Sequence, residues 1–218
     1  KSVLLKHIVG LLKPDAGEIW FDNQRVDTLD VRRLMDLRRR IGFLFQMGAL
    51  FDSLTVLDNV AFPLVEHTRK SEEEIRQIAE AKLRMVGLAN IGAKMPAELS
   101  GGQKKRVALA RAIALNPEVI LYDEPTTGLD PVRSDVINEL IIKLQRELRV
   151  TSIVVTHDMH SAFKVADRIV MLHEGKIAYD GSPHAILESN NPVVRRFVMG
   201  EASEQELASL NGRPTGDF

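Results

Sequence analysis

Leu99-Ser100-Gly101-Gly102-Gln103 constrains this chain more than any other stretch. Serine is a good helix N-cap, and two glycines behind it let a ligand approach the backbone closely. The free N–H groups of a helix start attract phosphate. On their own these five residues could be an ordinary capped helix after a loop. Their order with two later segments narrows the reading. The apolar run Val119-Ile120-Leu121-Tyr122 ends in Asp123-Glu124-Pro125, and Ser152-Ile153-Val154-Val155-Thr156 ends in His157-Asp158. Buried strands that deliver carboxylates and a histidine at their C-terminal ends suit a site in the crevice of a parallel sheet.

The chain opens with Lys1-Ser2. That pair has the form of the last two residues of a G-x-x-x-x-G-K-[ST] phosphate loop. There the lysine reaches the β- and γ-phosphates and the hydroxyl ligates Mg²⁺. A terminal Lys-Ser by itself means nothing; the later motifs give it weight. There is no initiating Met, so the sequence reads as a piece of a longer protein, and the opening does not read as a signal peptide.

The 218 residues suffice for one α/β domain with a substantial core. With 29 basic against 30 acidic residues there is no large basic field, so nucleic acid is not an expected partner. Lys104-Lys105-Arg106 reads as a solvated helix face rather than a nucleic-acid patch. Cysteine is absent, which removes disulfides and Cys-based zinc sites and suits a reducing compartment. No apolar run approaches the ~20 residues that span a bilayer.

Periodicity predicts a helix over 2–12, ended by Pro14-Asp15-Ala16-Gly17, and a hairpin over 18–26 turning at Asp22-Asn23. A basic amphipathic helix over 31–40 leads to a strand, 41–46, ending in Gln46. From about 52 to 98 the texture is helical and charged. Ser71 to Glu74 form a capping box, Ile75, Ile78, Ala79, Leu83 and Val86 follow helical spacing, and Gly87 sits at the C-terminal glycine position. Further helices are expected near 101–115, 132–148 and 160–166, with strands at 119–123 and 152–156. A hairpin over 168–179 turning at Glu174-Gly175 and two short helices near 183–189 and 192–199 follow. Alternating strands and helices argue a parallel α/β core. The polar tail from Glu201 is expected to be disordered.

In this order and spacing, the motifs resemble the ATP-binding cassette (ABC) ATPases over nearly the whole chain. The resemblance implies a P-loop NTPase, ABC-type nucleotide-binding domain. It would have a parallel core sheet, an antiparallel β-subdomain and an inserted helical subdomain. Residues 1–51 and 116–200 would form the core, 52–115 the helical subdomain with the signature motif, and 201–218 a tail. It implies ATP and Mg²⁺ as cofactors. Lys1 and Ser2 would bind phosphate, with Ser2, Gln46 and Asp123 around Mg²⁺, partly through water. Glu124 would be the general base for the attacking water and His157 its neighbour at the γ-phosphate. Ser100, Gly101, Gly102 and Gln103 would meet ATP held by a second ATPase subunit in a head-to-tail homodimer. Asp130, in Gly128-Leu129-Asp130-Pro131, would lie across that interface.

Phe43 to Val56, Asn59 to Leu64, Ala166 to Leu172 and Asn191 to Phe197 narrow the resemblance. They look like the ATPase subunit of Mla/Mce-type transporters of phospholipid and hydrophobic compounds. That branch implies a membrane permease, an Mce-type lipid-binding protein and a cytoplasmic position at the inner membrane. The phosphate-loop glycines, the first core strand and the adenine-stacking aromatic residue are not in this sequence, so the chain by itself is expected to bind ATP poorly and to be inactive. The competing readings are an ABC ATPase of another transporter branch, a non-transport ABC ATPase of DNA repair, chromosome structure or translation, and a degenerate regulatory cassette. The short insertion, the single signature and the absence of cysteine weigh against repair, chromosome and translation members. Intact Glu124 and His157 weigh against a degenerate one.

Overall fold

A computed structural model describes residues 1–202 and 207. The expected disorder of the tail therefore lies almost wholly outside the described residues. By internal contacts the chain divides into two compact units, Lys1–Ser161 and Ala162 onward, a division that falls within a short helix.

The first unit is organised by a parallel sheet in the order β3 (Ile41–Leu44), β4 (Val119–Asp123), β5 (Thr151–Val155). The central strand is the apolar run before Asp123; Ile120, Leu121 and Tyr122 are fully buried. Its register sets Leu44 beside Tyr122 and Asp123 beside Val155. Two earlier strands, β1 (Trp20–Phe21) and β2 (Gln24–Arg25), pair antiparallel. Both turn residues, Asp22 and Asn23, have positive φ, as a two-residue hairpin with a type I′ turn requires.

Helix α1 (Ser2–Ile8) ends earlier than the expected 2–12. Gly10 takes a left-handed φ of 65°. Its N–H bonds to His7 O at 2.9 Å, and that of Leu11 to Lys6 O at 2.8 Å, a Schellman termination that apolar periodicity alone does not show. Leu5 of α1 is fully buried with Leu37 of α2 (Val31–Arg39), Ile41 and Leu121. That anchor fixes the start of α1 over the end of β4. The third strand also stops short: β3 ends at Leu44, and Phe45 to Gly48 form a turn closed by Gly48 N–H to Phe45 O at 2.8 Å. Gln46 is therefore an exposed turn residue, not a strand residue.

Helices α3 (Val56–His67), α4 (Glu72–Met85) and α5 (Gly101–Ala112) pack together through Val56, Val60, Leu64, Ile75, Ala79, Leu83, Val107 and Leu109. Ser71 and Glu74 make the expected capping box, and Gly87 follows α4 with a φ of 71°. Asn59, fully buried, holds the loop before α3. Its Oδ1 accepts Phe51 N–H at 2.8 Å, and its Nδ2 donates to Phe51 O, Leu54 O and Thr55 O at 3.0, 3.1 and 3.0 Å. Asn59→Leu strands one buried donor and several acceptors, each costing about 1–3 kcal/mol. We expect urea unfolding to register a loss of about 2–4 kcal/mol, and amide exchange over 51–55 to accelerate. Unchanged exchange would show that the loop is held otherwise.

Helix α6 (Pro131–Leu148) precedes β5, and α7 (Met159–Val165) follows it. In the second unit β6 (Ile169–His173) and β7 (Lys176–Gly181) form the hairpin expected to turn at Glu174-Gly175, both with positive φ. Arg168 clamps Asp180 with two 2.6 Å bonds, holding the aspartate below and the arginine above their ordinary pKa values. The first of the two expected short helices is a 3-10 turn, Ala185–Glu188; the second is α8 (Pro192–Met199), capped by Asn191.

Candidate functional site

The C-terminal ends of β4 and β5 and the start of α1 bring five of the expected residues together: Lys1, Ser2, Asp123, Glu124 and His157. Ser2 Oγ donates to Asp123 Oδ1 at 2.7 Å, joining positions 121 residues apart. Lys1 Nζ donates to Thr156 O at 3.4 Å. One residue past Asp123, Glu124 turns out of the strand with a φ of 50°, a left-handed conformation rare outside glycine. Its N–H is held by Val155 O at 2.9 Å. Backbone outliers of this kind cost about 1–3 kcal/mol and cluster at functional sites. Here the turn presents the carboxylate to His157, whose Nδ1 lies 2.9 Å from Glu124 Oε2. Thr127 Oγ1 donates to the same oxygen at 3.2 Å. The Glu124 side chain is 14% exposed and the His157 ring 64% exposed, so the pair has one sheltered and one open member.

Oxygen donors make up the first pair: a hydroxyl and a carboxylate. Among the described residues no cluster of three or more His, Cys, Asp or Glu could hold a metal by itself. A single carboxylate beside a hydroxyl suits a hard cation such as Mg²⁺, which keeps waters and shares substrate phosphates.

The signature residues serve their own helix. Ser100 Oγ accepts Gln103 N–H at 3.4 Å while Gln103 Oε1 accepts Ser100 N–H at 2.9 Å, a reciprocal capping box. Asp130 likewise caps α6 by accepting Arg133 N–H at 2.9 Å. A Cβ on Gly101 would sit 3.7 Å from Leu129, and one on Gly102 3.9 Å from Arg133. The start of α5 and the Gly128–Asp130 segment thus lie side by side. Among the described residues, no hydrogen bond joins either to Ser2, Asp123, Glu124 or His157.

Lys105 corrects the reading of 104–106 as a solvated face. It is 7% exposed, and its Nζ donates to the Gln46 carbonyl and, at 3.3 Å, to Glu124 O. Burial lowers its pKa, opposed by the nearby Glu124 and Asp123 charges. Arg106 donates to Val86 O and Gly87 O at 3.4 and 3.2 Å, and Arg111 to Gly48 O and Ala49 O at 2.8 Å each. The available signal was spacing: Lys105 stands four residues before Leu109 on the apolar stripe of α5.

The ABC transporter family model matches residues 1–127. The intermembrane phospholipid transport system ATP-binding protein MlaF of Haemophilus influenzae is 47% identical over 202 residues, covering 93% of this chain and 76% of that protein. The probable ribonucleotide transport ATP-binding protein mkl of Mycobacterium leprae is 44% identical over 200 residues, 92% of this chain but 58% of its own length. Among solved structures, the dimeric post-hydrolysis state of the ATP-binding cassette MJ0796, bound to ADP and Pi, superposes with a TM-score of 0.76 at 40% identity. It covers 84% of this chain and 80% of that one. Fold, site geometry and relatives agree: this chain belongs to the ABC transporter family, as an ATP-binding cassette.

Proposed function

We propose that this chain is the ATP-hydrolysing part of a protein that drives transport of phospholipid or a similar hydrophobic compound across the bacterial envelope. One observation carries the catalytic part: the Ser2–Asp123 and Glu124–His157 pairs stand side by side at the ends of adjacent parallel strands. In this reading Lys1 and Ser2 bind the β- and γ-phosphates. Ser2 and Asp123 would hold Mg²⁺, with Gln46 as a further expected ligand; the ion, when bound, would neutralise charge on the phosphate oxygens. Glu124 accepts a proton from the attacking water, and His157 and Thr127 fix the orientation of its carboxylate.

Ser100 to Gln103 and Asp130 complete the site of a second copy. The two copies form a head-to-tail homodimer when ATP is bound; that MJ0796 is dimeric in its ADP- and Pi-bound state supports the pairing of two cassettes. Residues 52–115 act as the helical subdomain. The partners are a membrane permease and an Mce-type lipid-binding protein. No helix among the described residues is long and apolar enough to cross a membrane, and the chain would sit on the cytoplasmic side through the permease. The likeness to MlaF supports phospholipid as cargo. The likeness to mkl keeps a ribonucleotide as a second reading. Reconstitution of the full-length protein with its co-purifying membrane subunits decides between them. ATP-dependent movement of labelled phospholipid is expected, and movement of ribonucleotide alone would replace the first reading.

Met47, next to Gln46 in the turn, and the ring pair Phe51 and Phe62 are exposed, and we place the permease contact there. These 218 residues hold no cysteine, so one engineered at Asp52 or Ser53 is unique among them. It is expected to crosslink to the permease; failure there with success on the opposite face would move the coupling surface.

A further inference from the structure

Helix α5 carries the Gln46 turn as part of its own body. A Cβ on Gly48 would lie 3.4 Å from Ala108 Cβ and 3.7 Å from Lys104 O, in van der Waals contact, so the turn lies close against the helix. Arg111, seven residues beyond Lys104 on the same stripe, grips Gly48 O and Ala49 O with a fork of two 2.8 Å bonds. Arg111 also stacks over Phe51, its guanidinium 5.6 Å from the ring centre. Lys105 extends this body inward. Its ammonium joins the Gln46 carbonyl to the Glu124 carbonyl, and no other described side chain makes a hydrogen bond to both segments. Little more than one helical turn before Lys105 is Ser100, at the start of the same helix. A rigid helix that is gripped at its start therefore moves Gln46 and Glu124 together.

Resting on the hydrolytic reading above, we propose that Lys105 is a positioning residue: it couples the start of α5 to the backbone of Glu124 and to Gln46, so that docking of a second subunit's nucleotide at Ser100–Gln103 sets the general base in place. A buried ammonium is an unfavourable choice for mere packing, because an apolar side chain of similar volume would avoid its desolvation. What the ammonium supplies is reach and several donors, enough to hold two carbonyls of different loops at once. The Glu124 backbone needs such a hold because its left-handed turn is strained.

The test uses the full-length protein assembled with its membrane subunits, in three variants: Lys105→Met, Lys105→Leu and Lys105→Gln. Exchanging a buried charge for an apolar group of similar size often leaves stability intact, so at least one apolar variant is expected to fold. In that variant kcat for ATP falls about 10- to 100-fold, while KM for ATP stays within about threefold. Lys105→Gln, whose amide can still donate to a carbonyl, recovers part of the rate. Wild-type kcat in a folded apolar variant overturns the proposal. So does a loss of kcat that merely follows the fraction of unfolded protein, or a Gln variant no faster than the apolar ones. Glu124→Gln, run beside them, separates the two levels: its inactivity with a fully active Lys105→Met sinks only the role of Lys105, whereas near-normal turnover in Glu124→Gln removes Glu124 as the base on which that role rests.

Discussion

Glu124→Gln in the full-length protein is expected to lower ATP turnover about 10²–10⁴-fold, the usual cost of removing a positioned general base. The substitution preserves shape. A glutamine carbonyl can still accept from Thr127 Oγ1 and from His157 Nδ1, the two groups that hold the carboxylate at 3.2 and 2.9 Å. The strained turn at residue 124 is held through main-chain groups, Glu124 N–H to Val155 O and Lys105 Nζ to Glu124 O, which the change leaves alone. What is lost is the negative charge that takes the proton. ATP binding should therefore persist, and the nucleotide-bound dimer should accumulate because the step that dissolves it is blocked. Phosphate-release assays with membrane partners present, together with sizing of the dimer in ATP, check both halves. Near-normal turnover would remove Glu124 from the base role.

Ser100→Arg is expected to abolish hydrolysis, and comparing magnitudes tells this apart from a folding defect. Ser100 has extended backbone angles, φ −65° and ψ 159°, which arginine adopts without strain. The lost cap costs about 1 kcal/mol. A cation at the positive end of the helix adds about 0.3–1 kcal/mol. A stable domain survives that sum. A bulky side chain over the phosphate-facing helix start, however, keeps a second subunit's nucleotide out, and turnover should fall at least about 100-fold. Ser100→Ala loses only the cap and the hydroxyl, so it should retain far more activity. In mixed dimers the variant should disable the site it shares with its partner's Lys1 and leave the other composite site intact. Turnover assays and thermal melting of the three proteins check this; equal losses in Ser100→Ala and Ser100→Arg would refute the steric account.

Short-range signals in this sequence predict the structure where they act alone. The apolar run before Asp123 is the central strand, because four consecutive apolar residues without polar alternation demand burial on both faces. Ser71 with Glu74 caps α4, and Asp22-Asn23 and Glu174-Gly175 make their hairpins, because each signal is closed within a few residues. The boundaries failed where a termination competes with periodicity. Leu11 and Leu12 continue the apolar pattern of α1, yet Gly10 has already turned the chain. Gln46 follows an apolar strand, yet Gly48 closes a turn beneath α5.

Sequence by itself determined the family, the choice of Asp123 and Glu124 as candidate carboxylates and the order of the elements, since these are written in local patterns and their spacing. Only the tertiary structure decided what Lys105, Asn59 and Arg111 do. Lys105 looks like one more cation on a basic helix until α5 packs against β3 and buries it beneath the carbonyls of Gln46 and Glu124, 59 and 19 residues away. A buried polar group must find its partners wherever the fold places them, and those partners lie beyond the reach of any local pattern.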